Sequence, residues 1–276
     1  MIELLIYSAV DTLKLAPILF LTYLAIETIN KKASSKYLAM ISRSKKLGPV
    51  IGSFIGTIPQ CGFAVSAANF YGKRIITLGT LISVFLVTSD EMLPILLANN
   101  ASLNLILKII LIKIIVGLTF GIIIDYLLRN KQIISLTNNR TNCCNEKNIL
   151  AATILHTLNI LFFIFVISLT LNLIVKTIGL DYLSNILMQG SIFGPIIASI
   201  IGLIPSCASS VLITELYLSN TISFGSTMAG LLSGAGIGLA VLFRVNPNFY
   251  TNLKIVAILV TIGAVTGIII DAFNIY

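Results

Sequence analysis

Tryptophan is absent from this chain, histidine occurs once, and only 10% of its 276 residues are charged. A soluble domain of this length carries about 25% charged residues, so there is too little polar surface to clothe a water-facing globule. Four cysteines, Cys61, Cys143, Cys144 and Cys207, are too few and too scattered for a disulfide framework. No nucleotide-binding loop, HExxH or Ser/His/Asp constellation occurs, so neither an enzyme nor a bound cofactor is expected. The single histidine, His156, sits alone in an apolar run, where a hydrogen-bonded packing residue is expected. The first 16 residues carry Glu3 and Asp11 and lack a basic start, which speaks against a cleaved signal peptide.

What is present is apolar: 57% of the residues, with a mean hydropathy of +1.02. Six runs reach the roughly 20 residues that a membrane helix needs, at 9–29, 75–97, 103–128, 149–175, 221–243 and 251–273. The chain therefore reads as an all-α polytopic membrane protein whose first partner is the bilayer. Its net charge of +8 falls between the apolar runs and forms no stripe. That is the pattern of positive-inside loops rather than of a nucleic-acid surface.

Two further apolar segments are interrupted by glycine and proline: GPVIGSFIGTIPQCGFAVSAANFY at 48–71 and GPIIASIIGLIPSCASSVLITELY at 194–217. They belong to an internal repeat. Shifting the sequence by 146 residues aligns 48–125 with 194–271 without a gap, with 27 of 78 positions identical. The identities include Gly48-Pro49 with Gly194-Pro195, Pro59 with Pro205, Cys61 with Cys207, Lys108 with Lys254, and Asp125 with Asp271. Chance agreement between apolar helices gives stray Ile and Leu matches, not this set. The chain divides into a first repeat (1–129), a cytoplasmic linker (130–148) holding Cys143-Cys144, and a second repeat (149–276).

Loop charges discriminate between topologies. If 48–71 and 194–217 cross fully, each half has four spans and Lys73, Arg74 and the linker bases fall outside. If they are re-entrant hairpins, each half has three spans. In that case 13 of the 18 lysines and arginines lie in cytoplasmic loops, with Lys176 in an external one. The second arrangement fits the positive-inside rule. It makes the halves inverted repeats, each of about three spans plus one hairpin, with both termini outside. Arms of ten to twelve residues, at about 1.5 Å per residue, reach half of a roughly 30 Å core. The hairpin tips would then meet near the midplane.

The tips, Pro59-Gln60-Cys61 and Pro205-Ser206-Cys207, are where a solute is expected. Proline ends the incoming arm, and the returning arm begins with free amides at a positive helix end. Thiols are soft donors for thiophilic metals and metalloids, although cysteine also serves as a small packing residue. Thr88-Ser89-Asp90-Glu91 places two carboxylates inside an apolar run, a costly arrangement that usually has a function. Lys113 lies at nearly the same depth in the antiparallel run that follows, and a pair with Asp90 or Glu91 is expected, with Lys108 reaching outward. At the matching site the second half offers Gly234, Gly236 and Gly238, whose freed carbonyls could face a cation. Asn69 and Glu215 share a repeat position on the returning arms. Asp125 and Asp271 end their runs, and both are expected at the membrane interfaces.

The quoted tips, together with ITLGTLISVFLVTSDEMLPILL and ISFGSTMAGLLSGAGIGLAVLFRVN, resemble a bacterial permease family. Its members carry the labels heavy-metal exporter, arsenic efflux protein and manganese transporter. The resemblance covers roughly 48–98 and 194–246. It implies a permease of the bacterial inner membrane in which the tip and acidic motifs matter, and it describes ten spans. The expectation is thus a gradient-coupled transporter of a metal or metalloid, with Cys61, Cys207, Asp90 and Glu91 as contacts and Asp90, Glu91 and Lys113 as coupling residues. A small organic or sulfur-containing anion, or a channel, is the alternative; a homodimer fits either.

Overall fold

The computed structural model describes residues 47–57, 61–88, 92–132, 193–205 and 207–273, with isolated helical positions within 16–24 and 154–166. Apart from those isolated positions, the expected spans 9–29 and 149–175 lie outside this set, as do His156 and the linker with Cys143 and Cys144. Among the described residues all regular structure is helical. The first half contributes α1 (Gly48–Gly56), α2 (Cys61–Gly72), α3 (Leu78–Val87), α4 (Met92–Ala98) and α5 (Leu103–Gln132). The second half contributes α6 (Gly194–Gly202), α7 (Cys207–Leu218), α8 (Phe224–Ser233), α9 (Ile237–Val245) and α10 (Phe249–Ala272).

Local chemistry sets these boundaries. Pro49 and Pro195 occupy the first turn of α1 and α6, where a missing N–H costs nothing. Thr77 and Ser223 cap α3 and α8 through bonds from Thr80 N (3.2 Å) and Ser226 N (3.1 Å). α2 ends abruptly: Arg74, at a φ of 61°, donates to Tyr71 O, and Ile75 donates to Phe70 O. This Schellman stop turns the chain into α3 within residues 73–77. Asn220, at the matching position, has a φ of 56° and donates to Tyr217 O, and Thr221 donates to Leu216 O.

Two of the expected spans are not continuous helices. The run 75–97 divides into α3, ending at Val87, and α4, starting at Met92; the run 221–243 divides into α8 and α9 around Gly234–Gly236. Hydropathy cannot register such a break, because the few residues involved are averaged into apolar flanks. Leu103–Leu128, Phe224–Val245 taken through its break, and Phe249–Ala272 are long and apolar enough to cross a bilayer.

Packing forms two matched layers and an exchange between them. α1 runs beside α3 in the same direction, with Gly48 on Thr80 and Gly56 on Val84 and Val87. α5 returns antiparallel on α3, with Gly117 near Ser83 and Val87 and Gly121 near Gly79. α6, α8 and α10 repeat this arrangement, Gly202 meeting Gly230 and Gly267 meeting Gly225. α2 instead packs along α9 of the other half, Ala64 against Gly238 and Gly72 against Val245, while α7 packs on α6 and α8 of its own half and touches α4. Outward on α5 lie Leu103, Leu107, Leu111, Ile115 and Ile122, while Ile106, Ile109, Lys113 and Val116 face inward. An apolar outside around a polar-containing interior suits lipid as the solvent.

The glycines on α3 and α8 permit this closeness. A Cβ on Gly79 would lie 2.2 Å from Gly121 O, and one on Gly225 would lie 2.3 Å from Gly267 O. Both obstacles are backbone and cannot rotate away. Gly79→Ala and Gly225→Ala are therefore expected to destabilise the purified protein by about 1–3 kcal/mol each, the usual cost of overpacking. Ile122→Val, on the outward face of α5, should leave thermal unfolding unchanged. Equal melting of all three variants in detergent would show that the helices do not approach this closely.

Candidate functional site

Lys113 lies ten residues into α5, about 15 Å along the helix by its rise, and so near half the depth of a roughly 30 Å core. Its side chain is fully buried. Nζ donates to Thr88 O at 2.5 Å and to Leu231 O at 3.0 Å. These acceptors belong to opposite halves of the chain, and both sit where a helix stops. Thr88 is the C-cap of α3. Leu231 lies in the last turn of α8, where Ala235 N bonds Ser233 O instead of reaching back to Leu231 O. Each helix end carries about half a negative charge. Two such ends together offset roughly one positive charge, the charge of an ammonium group.

The break in α8 depends on glycine. Gly236 has φ 51° and ψ −147°, a combination open to almost no other residue. Gly234, with ψ 85°, closes α8 by donating to Gly230 O. In α3 the matching work is done by Thr88, whose Oγ1 and N–H both return to Val84 O. Ser83 Oγ bonds Gly117 O at 2.9 Å and fixes α5 against α3 one turn below Lys113.

The structure thus gathers Thr88, Lys113 and Leu231, the last of them one turn before the Gly234–Gly236 break, around one point. Ser89, Asp90 and Glu91 lie outside the described residues, and so does the expected pairing of Lys113 with either carboxylate. The same holds for Pro59, Gln60 and Ser206. Cys61 and Cys207 are the first residues of α2 and α7, with side chains outside the described set. Pro205 is half-buried in the turn after α6, and Ser209 Oγ takes up the neighbouring Ile204 O at 3.2 Å. Asn69 is buried and donates to Val65 O in its own helix, whereas its repeat mate Glu215 is exposed. Lys108 reaches the Phe224 ring at 5.8 Å, at the start of α8. No group of three or more His, Cys, Asp or Glu placed to hold a metal occurs among the described residues.

Two features escaped the sequence. The first is the Leu231 carbonyl, a backbone group whose nearest signal is the glycine cluster three residues later. The second is the role of the repeated aspartates. Asp125 accepts from Gly79 N at 2.8 Å and Thr77 Oγ1 at 2.6 Å; Asp271 accepts from Gly225 N at 2.8 Å and Ser223 Oγ at 2.7 Å. Each carboxylate pins the C-terminal part of a long helix to the N-terminus of a broken one, where a negative charge is favoured. The joint recurrence of Thr/Ser-x-Gly and Asp at the repeat spacing was the available clue.

Comparison with known proteins agrees with this architecture. The chain matches the ArsP_2 family model, described as "Putative, 10TM heavy-metal exporter", over residues 6–192 and 172–275. Curated proteins and solved structures give no match. Because the two matched segments together span nearly the whole sequence, the chain belongs to this family of multi-span membrane transporters.

Proposed function

We propose that this chain is a gradient-driven membrane transporter that exports a heavy metal or metalloid through a site near the membrane midplane. One observation carries the reading: two discontinuous spans, one from each half, stop at the same buried point around Lys113. Helices broken inside hydrocarbon persist only where protein or a wet cavity satisfies the freed groups. In transporters, such breaks at corresponding positions of two halves mark the binding region. Family membership supplies the metal.

The packing supports inverted halves with re-entrant arms. Gly48 lies against Thr80, and the Arg74 turn joins Gly72 to α3 within five residues, 73–77. Both ends of 48–72 therefore gather at the entry of α3, as expected of a hairpin that returns to its own face. α2 and α9 end together, Gly72 at Val245. Since α9 completes the span that α8 begins, α8 enters from the face opposite to α3. Counting six spans plus four hairpin arms gives ten membrane-embedded segments, the number in the family description.

In this scheme the tips Pro59-Gln60-Cys61 and Pro205-Ser206-Cys207 approach the breaks from opposite faces. Cys61 and Cys207 supply soft contacts, and Asp90 and Glu91, close in sequence to Thr88, supply the titratable charge for coupling with Lys113. A second reading has its own support. α2 and α7 begin at the tip cysteines, so two positive helix ends and a buried ammonium lie along the pathway. That combination suits a small organic or sulfur-containing anion.

Everted vesicles supplied externally with candidate solutes separate the two. Wild-type vesicles are expected to accumulate a thiophilic cation or metalloid, and Cys61→Ser/Cys207→Ser to lose about tenfold in apparent affinity, equivalent to roughly 1.4 kcal/mol. Asp90→Asn should abolish gradient-driven accumulation while leaving exchange. Metal transport indifferent to all three substitutions, alongside uptake of an anion, would transfer the assignment to the second reading. Downhill flux alone would indicate a channel.

Topology has a separate test. Single cysteines at Lys73 and Ser219, in a chain whose native cysteines are replaced by serine, are expected to label from opposite faces of intact cells, Ser219 from outside. Labelling of both from one side would end the inverted arrangement.

A further inference from the structure

We infer that Lys113 is a tethered cation: its ammonium fills a small cation site that the C-terminal ends of α3 and α8 build between them, and so ties the two halves together. Three observations carry this. The side chain is fully buried at about half the depth of the bilayer, where a lysine is costly unless its charge is met. What meets it at Nζ includes two main-chain carbonyls from different halves, Thr88 O and Leu231 O. The second acceptor exists because α8 stops: Ala235 N has turned to Ser233 O and left Leu231 O outside the helical ladder.

The repeat provides an internal control. Position 113 corresponds to 259, where the second half has Leu259, also fully buried in the matching helix α10. Positions 90 and 91 correspond to Gly236 and Ile237. The lysine and the two carboxylates are thus present together in one half and absent together from the other. The helix-to-helix scaffold is preserved in both halves, down to the Asp125 and Asp271 caps, without the lysine. The fold of a half consequently does not need Lys113, and its ammonium serves the contact between halves. A site whose known acceptors are main-chain oxygens at two helix ends fits a small cation with N–H donors, and the lysine side chain brings one on its own tether. The consequence for transport, that this tether must release when the breaks part, rests on the transporter reading above.

Chemical rescue in the purified full-length protein tests the site without any transported solute. Lys113→Ala is expected to lower the apparent Tm. Methylammonium or propylammonium chloride should shift it back toward the wild-type value, whereas tetramethylammonium chloride at equal ionic strength, having no N–H, should not. Lys113→Met fills the space without donors, so it should melt low and stay unresponsive to every amine. A Met variant as stable as wild type, or an Ala variant indifferent to primary amines, would overturn the proposal. Should Lys113→Ala not be recoverable from the membrane, the Met variant decides alone: wild-type stability overturns the tether and a loss supports it. Because melting is read without solute, amine rescue in a protein that moves no metal would end the export reading and leave the tether standing.

Discussion

A helix that stops inside hydrocarbon leaves carbonyls that lipid cannot satisfy, and the centre of this molecule is arranged around that constraint. α3 and α8 both stop near half depth. An unmet carbonyl there costs several kcal/mol, so the breaks cannot sit at arbitrary places. They face each other across one buried ammonium. The remaining packing follows: α5 must carry Lys113 to that depth, and Ser83 with Gly117 holds α5 close enough for its side chain to reach. Glycines at 79, 117 and 121, with 225, 263 and 267 opposite, allow main chains rather than side chains to set the spacing.

The second arms complicate any picture of two halves rocking as separate blocks. α2 leaves its own layer and lies on α9, with Gly238 under Ala64 so closely that an added Cβ would meet main chain at 2.9 Å. α7 touches α4 while staying on α6 and α8 of its own half. The second half therefore carries a helix of the first. Motion that opens one face has to move α2 with α9, or α1, α3 and α5 against that pair. The contacts divide the molecule along α1–α3–α5 and α6–α8–α10, with the second arms as the joint between them.

Much of this was legible before any coordinates. The repeat, the Gly-Pro starts of α1 and α6, and the depth of Lys113 relative to Thr88 follow from spacing alone. The breaks did not. Thr88–Glu91 was visible as a polar insertion but not as a helix terminus, since Thr, Asp and Glu are all compatible with a helix interior and only main-chain geometry separates the cases. Gly234 and Gly236 gave a better signal, because two glycines within one turn weaken a helix by about 1 kcal/mol each. The main-chain partners of Lys113 were the least legible. The acceptors on Thr88 and Leu231 are groups that every residue possesses, so no side-chain type announces them. Asp125 and Asp271 were recognised as repeated but were expected only at interfaces; their capping role needed the tertiary contact with Gly79 and Gly225.

The departures from symmetry are as informative as the symmetry. Scaffold positions agree between halves in kind as well as place: Pro49 and Pro195, Gly79 and Gly225, Thr77 and Ser223, Asp125 and Asp271. Some differences in polar residues fall on the proposed pathway. Asn69 is buried and bonded within its helix while Glu215 is exposed. In the repeat alignment Gln60 corresponds to Ser206, and Asp90 and Glu91 correspond to Gly236 and Ile237. The first half breaks its helix beside a buried lysine, and the second breaks at Gly234 and Gly236, which supply the conformation without a charge. A lysine at position 259 as well would add a second like charge to a low-dielectric interior. Leu259 avoids that while both helices remain interrupted. Lys113 against Leu259 is that division of labour at a single repeat position.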